Sequence, residues 1–306
     1  MTLRRTGHLD EYIAIKELSE EHDGYPVSEM CRILQVNRAA YYKWKNHGNS
    51  RNDAFNELIC RKAEQIHSEH PDMGYSRIRD TLAHDYGINV NDKRVLRICR
   101  KKKIQSYVKH RYNGCTRPVP DPAYVAENIL HREFKSDRPN EKWVTDVSEF
   151  KYGTGEDDKK GKLYPSVILD LCGNRPVSYG YGDHNDNRIV FNTFDKALLA
   201  DPGAKPVFHS DRGYQYTSKT FQRKIADAGM TQGMSRVGRC IDNGPMEGFW
   251  GIMKREMYYG RKYKTKEALI KAIEDYIDYY TNKRVQRNLG IVTPMEFYKK
   301  KLREAT

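Results

Sequence analysis

The hydrophobic period of this chain changes once, at Pro139, and that change limits the folds open to it. Upstream, apolar residues recur at helical spacing. Downstream, K-W-V-T-D-V-S-E-F-K-Y (142–152), K-L-Y-P-S-V-I-L-D-L (162–171) and P-V-S-Y-G-Y (176–181) read as strands with Gly, Asp and Asn turns between them. A helix at 186–200, a strand at 206–210, a helix at 218–228, a short strand near 231–236 and a helix at 244–258 follow. Three hairpin strands and then helices alternating with strands predict an α/β domain behind an all-α N-terminal region. The segment 153–162 between the first strands is a charged hairpin tip with no assigned role.

The upstream helices fall into two groups. Residues 10–22 form one helix, with Ile13, Ile15 and Leu18 as its apolar positions, and Gly24-Tyr25-Pro26 ends it. Two short helices follow, with Ser28 and Asn37 as their caps. Two helices joined by a tight turn are a helix-turn-helix, whose second helix lies in the major groove of DNA. Arg38, Tyr41, Tyr42, Lys43 and Lys45 then face DNA; alternatively, the tyrosines and Trp44 cover a small core. In the second group, helix 53–69 carries Leu58, Ile59, Ala63 and Ile66. After Gly74, helix 75–86 carries Ile78 and Leu82. Gly87 ends that helix, and Asn91 caps a third over roughly 92–103.

Val95, Leu96 and Cys99 give this third helix a packing face, and Arg94, Arg97, Arg100 and Lys101 face outward. With Lys102 they belong to a run from Lys93 to Arg111 holding nine Lys+Arg and no acidic residue. Unopposed cations on a helix that also packs point to phosphate contact. Pro118, Pro120 and Pro122 mark a linker, with a short helix expected in 124–134. At the other end, helix 266–282 places Leu269, Ile273, Tyr276, Ile277 and Tyr280 on one face. Thr293-Pro294-Met295-Glu296 is a capping box that starts a last helix, followed by the basic residues Lys299, Lys300, Lys301 and Arg303. This extension either packs on the core or contacts DNA. The expected division is a helix-turn-helix at 1–50, a second at 51–111, a linker at 112–137, a catalytic core at 138–258 and a helical extension at 259–306.

Charge follows that division. The net charge is +13. Residues 1–118 carry 22 Lys+Arg against 15 Asp+Glu, residues 119–251 carry 18 against 19, and residues 252–306 carry 14 against 7. Basic flanks around a neutral centre suit a polyanion held at its sides and acted on in the middle. A mean hydropathy of −0.87, no apolar run near the roughly 18 residues of a membrane span and no apolar signal core point to a cytoplasmic protein without a membrane partner. Six scattered cysteines without a C-x-x-C exclude a disulfide framework and a zinc site, and His67-x-x-His70 reads as helix surface.

The neutral centre holds an ordered set of carboxylates: Asp146 within a strand, Asp211 at a strand's carboxyl end, and Glu247 on a helix opened by Gly244-Pro245. At ~5 Å and an effective dielectric of ~20, each pair of such charges costs roughly 3 kcal/mol. Their convergence therefore implies divalent cations, and the hard oxygen donors suit two Mg²⁺ ions per site, with Mn²⁺ as a substitute. His209 and Asn243 orient the carboxylates or cap the helix. Lys254, two turns beyond Glu247, reads from the residues alone as a surface lysine near the same helix face.

The chain resembles the catalytic, second-reading-frame subunit of the IS3 family of transposases, relatives of retroviral integrases. The words that carry the likeness are G-Y-S-R-I (74–78), W-V-T-D (143–146), H-S-D-R-G-Y-Q-Y-T-S (209–218), S-R-V-G-R-C-I-D-N-G-P-M-E (235–247), K-R-E (254–256) and L-G-I-V-T-P (289–294). The resemblance implies a ribonuclease-H-like catalytic core with Asp146, Asp211 and Glu247 as catalytic and metal-binding residues, Lys254 as a contact to a DNA phosphate beside the metals, and Asp170 as structural. It implies nicking at a transposon end that frees a 3′-hydroxyl, strand transfer through a circular intermediate, and a nucleoid-associated bacterial enzyme. Its partners would be double-stranded end and target DNA, at least one further copy of the chain, and the first-reading-frame product as a fusion. Two other readings fit the same fold: a catalytically silent DNA-binding regulator and a structure-selective nuclease.

Overall fold

A computed structural model describes residues 8–21, 25–46, 51–108, 126–153, 160–236 and 240–305. The chain divides into two compact units, residues 1–65 and 66–306. The first holds α1 (Leu9–Glu21), α2 (Val27–Ile33) and α3 (Arg38–Lys45). Their shared core is Ile15, Met30, Cys31, Val36 and Tyr41, closed by Tyr12 and Trp44.

Local chemistry explains most of these helix ends. Asn37 Oδ1 accepts from the N–H groups of Ala39 at 2.8 Å and Ala40 at 3.3 Å, and so starts α3. Ser28 does not cap α2, because the helix begins one residue earlier. The Pro26 carbonyl takes the first turn's N–H groups from Glu29 and Met30. Ile13 and Leu18 stay exposed, so α1 is held through Ile15 alone of its expected stripe. Tyr41 is fully buried and cannot face DNA, whereas Arg38, Tyr42, Lys43 and Lys45 lie on the surface.

The helix α4 (Arg51–Glu69) leads into the second unit, where α5 (Tyr75–Tyr86) and α6 (Asp92–Lys101) pack together. Gly87 ends α5 at φ 65°, a left-handed conformation that glycine adopts without strain. Asn91 Oδ1 then accepts from Lys93 N at 2.8 Å to start α6. The expected helix in 124–134 is absent among the described residues of that stretch. Residues 126–134 run as irregular chain beside the last strand, with Glu127 O accepting from Met234 N at 3.1 Å. Pairing with a sheet edge satisfies that carbonyl in place of a helical turn.

The sheet contains β1 (Lys142–Val147), β2 (Phe150–Tyr152), β3 (Gly161–Asp170), β4 (Arg175–Gly182), β5 (Val207–Ser210) and β6 (Thr231–Met234). β1 and β2 are one expected strand interrupted at Ser148–Glu149, and both keep the same antiparallel register on β3. β4 pairs with the other edge of β3, and β5 and β6 join parallel on the far side of β1. This mixed sheet is the integrase-type, ribonuclease-H-like core expected from the sequence. The residues expected in the hairpin tip at 154–159 lie outside the described residues.

Both faces of the sheet are covered. On one, α7 (Asn187–Ala200) and α8 (Lys219–Asp227) bury Ile189, Phe194 and Phe221 against Trp143, Ile168 and Phe208. A methyl group at Gly182 would meet Ile189 Cγ2 at 2.3 Å, so glycine there lets α7 lie flush on β4. On the other face, α9 (Gly244–Met253), a π-helical turn (Lys254–Tyr258) and α10 (Lys266–Asn282) bury Phe249, Trp250, Ile273 and Ile277 against Val144, Val167 and Leu169. Each such side chain contributes roughly 1.5–3 kcal/mol of burial.

The last helix, α11 (Pro294–Ala305), starts at the expected capping box. Thr293 N donates to Glu296 Oε2 at 2.8 Å, and Glu296 N donates to Thr293 Oγ1 at 3.2 Å. Arg175 anchors it by stacking 3.9 Å above the Tyr298 ring while pairing with Asp201.

Candidate active site

β1 and β5 run parallel with Val144 opposite His209. Two residues beyond that pair stand Asp146 and Asp211, so the two aspartates emerge level at the carboxyl ends of neighbouring strands, whose spacing is about 4.8 Å. β5 ends at Ser210, and the chain turns at once, Gly213 N donating to Asp211 Oδ1 at 2.9 Å.

Two hydrogen bonds tie the turn that precedes the third carboxylate to these strands. His209 Nε2 donates to the main-chain oxygen of Asp242 at 3.0 Å and lies 3.2 Å from Ser235 Oγ. Asn243 Nδ2 donates to Thr145 O at 3.1 Å. The 3-10 turn Cys240–Asn243 is thereby tied to β5 and to β1, and α9 starts directly after it with Glu247 in its first turn. Asn243 occupies the cap position of α9, but its side chain reaches Thr145 and does not cap the helix.

The turn is further held by Asp242, whose carboxylate is sealed from solvent. It accepts from Asn128 Nδ2 at 3.1 Å, Arg132 Nε at 2.8 Å and Arg236 Nε at 2.8 Å. Arg236, and then Arg132, hold this carboxyl well below the usual carboxylate range. Burial lowers the His209 imidazole, and this neutral ring suits its role as a single Nε2–H donor.

The aspartates are crowded by protein while solvent still reaches part of each. Burial pushes the Asp146 carboxyl up to about 8, and the charge of Asp211 adds to this, with a smaller push from Glu247. Burial likewise raises Asp211, against the opposing Gly213 N–H. The Trp250 indole N–H favours the charged form of Asp146, yet it is buried without a hydrogen-bond partner of good geometry. Tyr216 lies buried beneath the pair, its hydroxyl 3.4 Å from Thr145 Oγ1. Lys254 lies near Asp146: burial lowers its ammonium, Asp146 and Glu149 oppose that, and Nζ stands 5.0 Å from the Phe150 ring centre.

These residues fit a hard divalent cation in kind. The donors are all carboxylate oxygens, and among the described residues none of the three forms an ion pair that would neutralise it. The fit is open in geometry: among the described residues, no three His, Cys, Asp or Glu side chains are drawn into a chelating cluster.

Elsewhere, Arg97, Arg100, Lys101 and Lys102 lie exposed on or just after α6, and Arg94 is half-buried. Trp250, Tyr216 and Asp242 went unnoticed in the sequence. Trp250 lies three residues from Glu247 and Asp242 adjoins Asn243, so helical spacing and adjacency were the available signals.

The integrase core domain family matches residues 136–240, a second integrase core domain family matches 247–302, and an HTH-like domain family matches 55–112. Transposase InsK for insertion sequence element IS150 of Escherichia coli is 33% identical over 285 residues, covering 92% of this chain and 97% of that one. Transposase InsF for insertion sequence IS3A of the same species is 25% identical over 301 residues, covering 95% and 99%. The chain belongs to the IS3 family of transposases. In this transposase the HTH-like match spans α4 to α6, and the first integrase match contains Asp146 and Asp211. Glu247 opens the second match. Among solved structures, the HTLV-2 integrase catalytic core domain in complex with magnesium aligns at a TM-score of 0.41 and 20% identity, covering 53% of this transposase and 97% of that chain. No helix among the described residues is long and apolar enough to cross a membrane.

Proposed function

We propose that this transposase nicks DNA at the ends of its insertion sequence and joins the freed 3′-hydroxyl to a second phosphodiester, with Asp146, Asp211 and Glu247 as the catalytic residues. The observation that carries the reading is the level placement of Asp146 and Asp211 on parallel strands, with the charge of Glu247 acting on Asp146 from α9. Two divalent cations, Mg²⁺ or Mn²⁺, would be held by these three carboxylates and would polarise the phosphodiester and activate the attacking oxygen.

The chain's own residues supply position and charge. His209 and Asn243 set the turn that presents Glu247. Lys254, beside Asp146, meets the phosphate next to the scissile bond. Arg94, Arg97, Arg100, Lys101 and Lys102 bind the end duplex through its phosphates, as do Arg38, Tyr42 and Lys43 in the first unit. In the first step water attacks phosphorus in line, the bond to the 3′ oxygen breaks, and that oxygen leaves as a hydroxyl. In the second step this hydroxyl attacks another phosphorus and displaces its 3′ oxygen, so the number of phosphodiester bonds is conserved. Attack of one end beside the other yields a circular intermediate and needs two ends together, hence at least a dimer. The working division is residues 51–111 for end binding and 138–258 for chemistry, in a cytoplasmic, DNA-associated protein that also acts as a fusion with the first-reading-frame product.

Strand transfer on a labelled duplex carrying the terminal repeat tests the reading. Wild type with Mg²⁺ should give nicked and joined products, and Asp146→Asn should give neither. Equal behaviour of the two proteins would remove the catalytic claim for Asp146, with no product from either leaving only a DNA-binding regulator, and nicking without joining would leave a nuclease.

A further inference from the structure

Glu256, the last residue of K-R-E, sits in a largely buried charge network. Arg284 grips its carboxylate from Nη2 at 2.7 Å and from Nε at 3.0 Å, and Tyr276 Oη donates to it at 2.9 Å. The remaining partner comes from the DNA-binding helices. Arg77, in the G-Y-S-R-I stretch of α5, donates from Nη1 to Glu256 at 3.0 Å and to Asp72 at 2.7 Å, and from Nη2 to Tyr279 Oη at 2.8 Å. Tyr107, just beyond α6, donates to the main-chain oxygen of Glu256 at 3.1 Å.

Three further ionic contacts hold α5 and α6 against the C-terminal segment. Arg287 donates to Asp80 on α5 at 2.8 Å and to Asp92 on α6 at 3.0 Å, and His84 on α5 meets Glu296 of the capping box at 3.0 Å. Between α5 and α9 lies a cleft of about 750 Å³ lined by Arg77, Asp80, Gly248 and Ile252, so apolar packing does not fill the space there. The Arg287–Asp80 bond joins two of the residues that line it. Glu256 lies in the π-helical turn Lys254–Tyr258, which also carries Lys254 beside Asp146.

We propose that Glu256 and Arg77 are positioning residues: their buried ion pair fixes the register between the DNA-binding pair α5–α6 and the turn bearing Lys254, and so decides which phosphodiester of the bound end reaches the carboxylates. This rests on the nicking and strand-transfer reading given above. The Arg77 guanidinium is pinned at Nη1 by Glu256 and Asp72 and at Nη2 by Tyr279, so its rigid plane resists both sliding and rotation, which a flexible ammonium does not. The joint therefore acts on placement of the DNA and not on its affinity.

The test uses full-length wild type, Arg77→Met, Arg77→Lys and Asp146→Asn with Mg²⁺ and an end-labelled duplex carrying the terminal repeat. End-DNA Kd, kcat, KM and the position of each cut are read. Arg77→Met should keep Kd and KM within about threefold while kcat falls about a hundredfold, the loss that a misplacement of ~1 Å produces. Its cuts should spread to neighbouring phosphodiesters, and Arg77→Lys should recover part of kcat with less spreading. Should Arg77→Met fail to fold, Glu256→Gln, which keeps size and acceptor, takes its place with the same expected outcome. Unchanged kcat with a single cut site overturns the inference, as does a parallel loss of Kd, which would make Arg77 a DNA contact. Wild type behaving like Asp146→Asn removes the underlying reading and this inference with it.

Discussion

Asn243 Nδ2 donates to the carbonyl oxygen of Thr145 at 3.1 Å across 98 residues of chain. The acceptor belongs to the residue before Asp146, and the donor lies one helical turn before Glu247. A single bond thus ties together the local backbone of two of the three carboxylates. Asn243→Ala removes that tie and leaves the buried Thr145 carbonyl without its partner, at a cost of about 1–3 kcal/mol. Strand-transfer kcat should fall by about ten- to a hundredfold through misplacement of Glu247. End-DNA affinity, read by gel shift, should stay unchanged.

Asp146→Asn should stabilise the metal-free protein while abolishing activity. Burial, and then the charge of Asp211, pushes the folded carboxyl from its ordinary 3.8 up to about 8. The stability associated with its neutral form is complete below 3.8 and is lost progressively as pH rises toward 8. Asparagine stays neutral throughout. Thermal melts should therefore show an advantage for the variant of roughly 1–3 kcal/mol at pH 8, shrinking toward pH 5. Added Mg²⁺ should raise the wild-type Tm and leave the variant's unmoved.

The His84–Glu296 contact gives the second unit a pH window. Burial lowers the His84 imidazole, but hydrogen bonds to Asp85 and Glu296 outweigh this and raise it above 6.5. Burial raises Glu296, and the Thr293 N–H and His84 outweigh that and lower it below 4.5. The histidine's contribution is complete below 6.5 and is lost as pH rises through the raised value. The glutamate's is complete above 4.5 and is lost as pH falls through the lowered one. Between 4.5 and 6.5 the contact is strongest. Wild type should lose more stability than His84→Ala between pH 6 and pH 9, measured by urea melts at each pH.

Tyr41 and Tyr42 are neighbours with opposite surroundings, one fully buried and the other 41% exposed. Tyr41→Ala opens the small core of α1–α3 and should cost about 3–5 kcal/mol, enough to unfold that unit. Tyr42→Ala should shift stability by no more than about 0.5 kcal/mol and should weaken DNA binding instead. Chemical denaturation and DNA titration of both variants separate the two effects.

How much was legible in advance follows from the range over which each interaction acts. Asn37, Asn91 and the Thr293–Glu296 box were readable as helix starts because a cap needs a partner only two or three residues away. Gly87 was readable as a stop because a left-handed residue is a property of its own backbone. Ser28 misled because Pro26 offered an earlier start to the same helix. The segment 126–134 misled because its helical composition lost to a sheet edge that the local sequence does not mention.

The sequence by itself determined where most of the strands and helices lie, which carboxylates were available and where the positive charge collects, since these depend on local periodicity and composition. Tertiary structure alone decided that Val144 pairs with His209, which brings Asp146 level with Asp211, and that Tyr41 turns inward while Tyr42 does not. It also decided that Arg77 and Glu256, 179 residues apart, close one ion pair. Strand register and buried charge pairing are set by the packing of distant segments against one another, and no short window of sequence contains both partners.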